Sequence, residues 1–340
     1  MSVIRHRLNR SLSSGLSTII LCSAVGMLWY VTLGGESGLA QLTTFLIYGL
    51  FALGVDFLWG YAGMLSFGQA AFFGLGCYSY AVITTGKIAP IPPEASLVGI
   101  VVGITMPILV ALLLGYFLFY GKVKGPYFTI VTLALSFLLS SLTAAWPSLF
   151  GGWTGIANVP SLGSTFLGID VSLTKPISGF IVVTILCGFV VSGFRWILNS
   201  QFGLLVDGLK DNEERLQYLG IDVAKVKLAI FAISAGVAGF AGILYSAQSG
   251  YVAPELIGVT FSTEVIIFVA VGGRGTLVGA ILGTIIVRGI GYWLGGVIID
   301  YWPLFMGILF IIIVLFAKGG IIGLTMHLWR SVTKRYVETT

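Results

Sequence analysis

Long apolar runs recur along the chain and constrain its fold more than any other feature of the sequence. The ten runs cover residues 16–33, 39–59, 62–83, 96–119, 127–146, 177–198, 226–247, 261–271, 276–291 and 301–317. A helix needs about 20 apolar residues to cross the hydrocarbon core of a bilayer, and most of these runs approach that length. Only 9% of the residues are charged and 57% are hydrophobic, which excludes a soluble domain of ordinary composition. The sequence therefore predicts a single all-α domain over residues 1–340, a polytopic transmembrane helical bundle of about 8 to 10 spans with glycine-broken helices.

Lysine and arginine cluster in four polar segments beside these runs. Cytoplasmic loops of membrane proteins carry an excess of the two residues. Counting crossings places all four clusters in the cytoplasm only if residues 261–291 cross the membrane twice, or enter it and return. We therefore expect both termini in the cytoplasm and an uncleaved first span rather than a signal peptide. The clusters are Arg5, Arg7 and Arg10; Lys122 and Lys124; Lys210, Arg215, Lys225 and Lys227; and Arg330, Lys334 and Arg335.

Two glycine-rich stretches, one in each half of the chain, interrupt the apolar pattern. They read GYAGMLSFGQAAFFG at 60–74 and VGGRGTLVG at 271–279. Paired interruptions of this kind are typical of broken helices whose free N–H and C=O groups form a solute site near the membrane midplane. The alternative is that the glycines only let helices pack closely. The predicted breaks are at Gly60, Gly63, Gly272, Gly273 and Gly275.

Two acidic residues lie inside the apolar runs, and an arginine lies at the second glycine-rich stretch. Asp56 and Glu264 are candidates for a solute pathway, because an ionisable side chain within a span is costly and usually faces a cavity or a partner. Each could instead be a charge near a helix end, where the cost is small. Arg274 lies among the glycines of the second break. We expect its guanidinium to cap the carbonyls that end the first short helix, with donation to a solute as the alternative.

Side chains for enzymatic chemistry are scarce in the sequence. The two histidines, His6 and His327, lie near the chain ends, and the three cysteines are scattered among the apolar runs. These residues supply neither a metal site nor a catalytic triad. No G-x-x-x-x-G-K-[ST] motif occurs, so ATP would have to be bound by partner subunits. We therefore expect a transport subunit that has no catalytic residue and binds no cofactor itself.

A charged segment over residues 199–227 separates two apolar runs and predicts a cytoplasmic coupling loop. Its length and pattern indicate a short amphipathic helix with Leu216 and Leu219 on the apolar side and a stop at Gly220. Because connecting loops between helices are commonly shorter, docking of a partner is favoured over an ordinary solvated loop. The residues assigned to coupling are Asp211, Asn212, Glu213, Glu214, Arg215, Leu219 and Gly220.

Four blocks of sequence, in order, resemble the branched-chain amino acid ABC transporter permeases. They are FALGVDFLWGYAGMLSFGQAAFFGLGCYSYA at 51–81, GKVKGPYFTIVTLALSF at 121–137, the segment from DGLKDNEERLQYLGIDVAKVK to SGYVAPE, and TEVIIFVAVGGRGTLVGAILG. The block VAVGGRGTLVGA at 269–280 is most similar to the urea branch. Gln69 stands where relatives commonly have histidine, and it joins Asp56, Glu264 and Arg274 as a candidate pathway residue.

The resemblance implies an importer subunit in the bacterial inner membrane. Its expected partners are a second permease subunit, two cytoplasmic ATP-binding subunits, an extracytoplasmic solute-binding protein and membrane lipid, with no nucleic acid. The expected cargo is a small polar solute, urea in the first reading and a branched-chain amino acid in the alternative. An ion-coupled secondary transporter is the second alternative, because such carriers also use broken helices and buried acids.

Overall fold

The computed structural model describes residues 2–32, 35–87, 96–123, 125–162, 173–294, 302–316, 319–320 and 323. These ranges contain thirteen α-helices. A π-helical turn over Phe57–Tyr61 extends the second of them, and 3-10 turns cover Gly152–Thr154 and Pro254–Ile257. The helices are α1 Ser2–Thr32, α2 Glu36–Asp56, α3 Gln69–Thr84, α4 Ser96–Tyr120, α5 Pro126–Ala145, α6 Pro147–Phe150, α7 Pro176–Leu198, α8 Gln201–Asp211, α9 Glu213–Tyr218, α10 Val223–Ser249, α11 Val259–Gly272, α12 Leu277–Leu294 and α13 Trp302–Phe316.

Each of the ten apolar runs coincides with one helix, which confirms the all-α transmembrane bundle. Six helices in the described ranges are long and apolar enough to cross a membrane by length and composition. These are Glu36–Tyr61, Ser96–Tyr120, Pro126–Ala145, Pro176–Leu198, Val223–Ser249 and Leu277–Leu294. Shorter apolar helical stretches cover Ser14–Tyr30, Val259–Gly272 and Leu304–Ile313.

The third helix is shorter than the apolar run at 62–83 predicts, because it begins at Gln69. Gly63 has φ +74°, a left-handed conformation that interrupts a helix, and residues 62–68 are irregular. The hydroxyl of Thr129 on α5 donates to the Leu65 carbonyl at 2.9 Å and fixes this segment. The hydropathy pattern placed residues 62–68 in the third apolar run because most of them are apolar.

The two short helices α11 and α12 form a helical hairpin, as the charge pattern required. The two helices pack antiparallel, because Gly272 lies against Gly279 and Gly283, farther along α12, lies against the carbonyl of Phe268, farther back on α11. The hairpin therefore enters the bundle and returns. Among the basic residues that predicted the orientation, Lys124, Arg330, Lys334 and Arg335 lie outside the described residues.

Helix α2 lies at the centre of the bundle and packs against α7, α10, α11 and α12. Helix α10 packs against α3 and α4, where small residues allow close contact. A Cβ added to Gly76 would lie 2.2 Å from the Gly239 carbonyl oxygen, so a larger residue at Gly76 cannot be accommodated without a shift. Part of the glycine content thus serves helix packing, as the alternative interpretation proposed.

Two short strands lie at the end of the bundle remote from α8 and α9, and the sequence pattern did not predict them. Strand β1, Ile156–Ala157, pairs antiparallel with β2, Tyr251–Val252. Ile156 lies opposite Val252, and Ala157 lies opposite Tyr251. The pairing joins the α6–α7 connection to the C-terminal end of α10.

The predicted coupling loop consists of two helices, α8 and α9, rather than one. Asp211 ends α8 instead of opening α9, and Asn212 caps α9 by accepting from the Arg215 N–H at 3.1 Å. The predicted stop is confirmed, because Gly220 has φ +80° after the last turn. Leu216 is buried and Leu219 is 71% exposed, so the two leucines predicted on one apolar side differ in burial, and Leu219 is available for docking. Leu219 follows the last helical residue, where the chain has already turned away.

Candidate functional site

The two glycine interruptions meet at one place, which we call the glycine junction (residues 56–63 and 272–276). Gly60 lies so close to the second interruption that an added Cβ would be 2.4 Å from the Gly275 nitrogen and 2.0 Å from an Asp56 carboxylate oxygen. Gly273 and Gly275 have φ values of +115° and +74°. Such angles are rare for residues with a side chain, so the turn between α11 and α12 requires glycine.

Asp56 closes the junction from the α2 side. Its Oδ1 atom accepts a hydrogen bond from the Gly275 N–H at 2.7 Å, and the residue is fully buried. A turn between two helices leaves backbone N–H groups without intrahelical partners, and a carboxylate is a strong acceptor for one of them. The acid therefore ties the end of α2 to the turn of the hairpin.

Lys210 connects the predicted coupling loop, residues 199–227, to the same junction. We call this part of the chain the coupling segment. Its Nζ atom donates to the Gly60 carbonyl oxygen at 2.7 Å. That carbonyl belongs to the π-helical turn that ends the second span, and Lys210 belongs to the last turn of α8. A continuous set of contacts thus runs from α8 through Gly60 and Asp56 to the α11–α12 turn.

Arg274 lies in the break, as predicted, but it does not cap α11. Its guanidinium carbon is 4.3 Å from the centre of the Trp59 ring, a cation–π arrangement. Within residues 259–294, which the structure describes throughout, the carbonyl of Val269 accepts from the Gly273 N–H instead, and Thr276 Oγ1 donates to the Gly273 carbonyl. The expected capping bond is replaced by local turn bonds.

The two interruptions lie at one end of the bundle rather than at its midplane. The second span runs for 26 residues from Glu36 to Tyr61, so Gly60 is one residue from its end. Gln69 is buried at the start of α3, where its side-chain oxygen is 3.4 Å from the Ser234 hydroxyl of α10. It contributes to helix packing beside the junction and contacts neither predicted acid.

Glu264 lies apart from the junction, so the four predicted pathway residues do not form one site. It is eight positions before Gly272 on α11, about 12 Å along the axis. There Arg288 Nη2 of α12 donates to Glu264 Oε2 at 2.7 Å. Arg288 was missed by the sequence interpretation. The signal was available, because Glu264 and Arg288 are equally far along the chain from Thr276, and a hairpin must bring them together.

The coupling segment presents a mixed outer surface. Tyr218 is 89% exposed and Leu219 is nearly as exposed, while Glu214 and Arg215 are also at the surface. Glu213 instead faces inward, where its carboxylate pairs with Lys227 of α10 at 2.7 Å.

Beneath the coupling segment are two clefts of about 250 and 450 Å³ that share Glu213 and Lys227 in their linings. No group of three or more His, Cys, Asp or Glu side chains in the described ranges is close enough to hold a metal ion.

Comparisons with known proteins provide a context for this arrangement. The family described as "Branched-chain amino acid transport system / permease component" matches residues 38–314. The chain is similar to the high-affinity branched-chain amino acid transport system permease protein LivM of Escherichia coli (strain K12). The two are 28% identical over 277 residues, which cover 74% of this chain and 62% of that protein, less than two thirds of its length.

Two further relatives are also named as permeases. The chain is 24% identical over 325 residues to the probable branched-chain amino acid transport permease protein LivM of Methanocaldococcus jannaschii, covering 83% of this chain and 92% of that protein. It is 27% identical over 218 residues to the ribose import permease protein RbsC of Haemophilus influenzae, covering 60% and 63%. No solved structure matches the chain.

Proposed function

The chain belongs to the branched-chain amino acid transport system permease family, and from this premise we propose that it is the membrane-spanning subunit of an ABC importer for branched-chain amino acids. A branched-chain amino acid, the alternative cargo in the sequence analysis, thus replaces urea as the proposed solute. The two LivM proteins, which align over 74% and 83% of this chain, are named for branched-chain amino acid transport, and the similarity that suggested urea rests on one block, residues 269–280.

The observation that carries this proposal is the chain of contacts from the coupling segment to the glycine junction. Lys210 holds the Gly60 carbonyl, and Asp56, one turn away on the same helix, holds the Gly275 N–H. Energetic coupling between distant sites travels through packed and hydrogen-bonded networks that have alternative arrangements. A force on α8 and α9 would therefore act on the α11–α12 turn through these two bonds.

The force would come from a partner, because the sequence contains no P-loop. We propose that one of the two ATP-binding subunits docks at α8 and α9, where Tyr218 and Leu219 offer apolar contacts beside the charges of Glu214 and Arg215. Aromatic residues and arginine are enriched at the centres of protein interfaces, so Tyr218 and Arg215 suit this role. A second permease subunit and an extracytoplasmic solute-binding protein complete the assembly. The subunit would lie in the bacterial inner membrane with both termini in the cytoplasm.

Reconstitution tests the proposal. The chain is placed in proteoliposomes with its second permease subunit and ATPases, and the loaded binding protein is added outside. We expect ATP-dependent uptake of leucine and none from the chain alone. Uphill uptake by the isolated chain under a proton or sodium gradient would support a secondary carrier instead. ATP-dependent uptake of urea without leucine uptake would return the proposal to the urea branch.

A further inference from the structure

The pair formed by Glu264 and Arg288 is the one ion pair that joins two apolar helices in the described part of the chain. The Arg288 Nη2 to Glu264 Oε2 distance is 2.7 Å, and the two side chains are 25% and 16% exposed. Transferring a charged side chain from water to a protein interior costs on the order of several kcal/mol for each charge. An ionisable group at this depth is therefore a candidate for function rather than a common packing element.

The pair leaves hydrogen-bonding capacity unused. One guanidinium nitrogen and one carboxylate oxygen make the bond, and Arg288 Nε is buried with no partner among the described residues. The guanidinium carbon lies 4.7 Å from the centre of the Tyr48 ring and 5.5 Å from that of Phe268. All guanidinium donors lie in its plane, so ring contacts on its faces leave the in-plane donors available.

An apolar surface adjoins the charged groups. The Tyr48 ring is 5.1 Å from that of Phe261 and stacks at 5.5 Å on that of Tyr245. Phe73 lies against the same rings. A cation, an anion and an aromatic wall thus occur together within the span region.

We propose that Glu264 and Arg288 bind the amino acid during transport, with the α-ammonium on Glu264 and the α-carboxylate on Arg288. This inference rests on the proposed function and assigns a solute site to it. The guanidinium can donate two parallel N–H groups to a carboxylate, and the free Nε supplies one of them. The branched side chain would lie toward Tyr48 and Phe261.

Charge balance explains why a zwitterion fits better than a singly charged solute. Without solute, the two residues neutralise each other, and with a zwitterion between them each charge still faces an opposite charge. A singly charged solute would leave one residue unpaired in an apolar region, which is strongly unfavourable. Because the solute competes with an existing ion pair, it would be held weakly enough to leave, as passage through a permease requires.

The test uses the complete reconstituted importer with wild-type chain, R288Q, E264Q, R288K, and the charge swap E264R with R288E. A diazirine analogue of leucine, delivered by the binding protein, is photoactivated, and labelled peptides are mapped by mass spectrometry. The control E255Q removes an exposed acid in the 3-10 turn between α10 and α11. We expect wild type and control to be labelled within α11, α12 or α2. R288Q and E264Q should lose labelling, and their leucine uptake should fall about tenfold or more.

R288K should raise KM more than it lowers the maximal rate, because lysine keeps the charge without the paired donors.

The charge swap separates binding from structure. It restores the ion pair but reverses its polarity relative to the aromatic wall, so we expect labelling and uptake to stay low. Recovery of both in the swap, or wild-type labelling in R288Q and E264Q, would show that the pair only fastens α11 to α12. Absence of leucine uptake and labelling in the wild-type importer would instead contradict the proposed function.

Discussion

The Asp56 carboxylate and the Gly275 N–H, separated by 219 residues in the sequence, are joined by a 2.7 Å hydrogen bond. The bond connects the end of the central helix α2 to the turn of the α11–α12 hairpin. Gly60 allows it, because only a residue without a Cβ leaves room for both groups. The two halves of the chain are thus fastened together at the end of the bundle that carries the coupling segment.

Replacement of Asp56 should reveal this fastening. We expect Asp56→Ala to lower the free energy of unfolding by about 1–3 kcal/mol, because the buried Gly275 N–H loses its acceptor. Asp56→Asn should lose less, since its amide oxygen can still accept the bond. Thermal unfolding of the detergent-purified chain measures both. Equal melting temperatures for Asp56→Ala and wild type would mean that another group accepts the hydrogen bond from the Gly275 N–H.

Gly60→Ala should be more harmful than the same change in an open position. The new methyl group would collide with the Asp56 carboxylate and the Gly275 nitrogen, and overpacking of this kind costs about 1–3 kcal/mol. Gly193 on α7 is the matched control, because an added Cβ there meets no atom within 4 Å. We expect Gly193→Ala to unfold at or above the wild-type temperature. The two variants are compared by melting and by membrane yield.

Lys210→Met should uncouple ATP hydrolysis from uptake. The substitution removes the donor to the Gly60 carbonyl but keeps most of the side-chain length. We expect the assembled importer to hydrolyse ATP at a near-normal rate while leucine uptake falls about tenfold, the loss corresponding to one charged hydrogen bond. Lys225→Met is the control, because Lys225 is exposed and pairs only locally with Asp222. Equal ratios of uptake to hydrolysis in both variants would remove Lys210 from the coupling path.

The sequence predicted the helices and the breaks well because hydropathy and glycine content are local properties. It did not predict which distant groups meet. Arg288 lies in an apolar run, and its partner could be found only by combining the predicted return of residues 261–291 with the equal spacing of Glu264 and Arg288 from Thr276. Leu219 differs from Leu216 in burial for a similar reason, because it lies one residue past the end of α9, where helical periodicity no longer applies. The position of the glycine junction at one end of the bundle follows from the run bounds themselves, because the second apolar run ends at residue 59 and Gly60 comes directly after it.

Arg274 should contribute little to stability and act through Trp59. An exposed cation–π contact contributes about 0.5–1 kcal/mol. We therefore expect Arg274→Gln and Trp59→Leu to show a coupling energy of that size in a double-mutant cycle measured by thermal unfolding, and Arg274→Lys to retain part of it. Loss of leucine uptake in Arg274→Gln with unchanged unfolding would assign the arginine to the solute pathway instead.

The two faces of α9 should respond differently to mutation. Tyr218→Ser with Leu219→Ser removes exposed apolar surface, so we expect less ATP-binding subunit to copurify with the chain while its melting temperature stays unchanged. Glu213→Gln should do the reverse, because it breaks the partly buried pair with Lys227 and leaves that lysine without its carboxylate. Affinity purification of the chain, with quantification of the bound ATPase, and melting of the same samples separate the two effects. If the serine variant retains the ATPase and the glutamine variant loses it, the docking surface is the cleft lined by Glu213 and Lys227 rather than the outer face of the coupling segment.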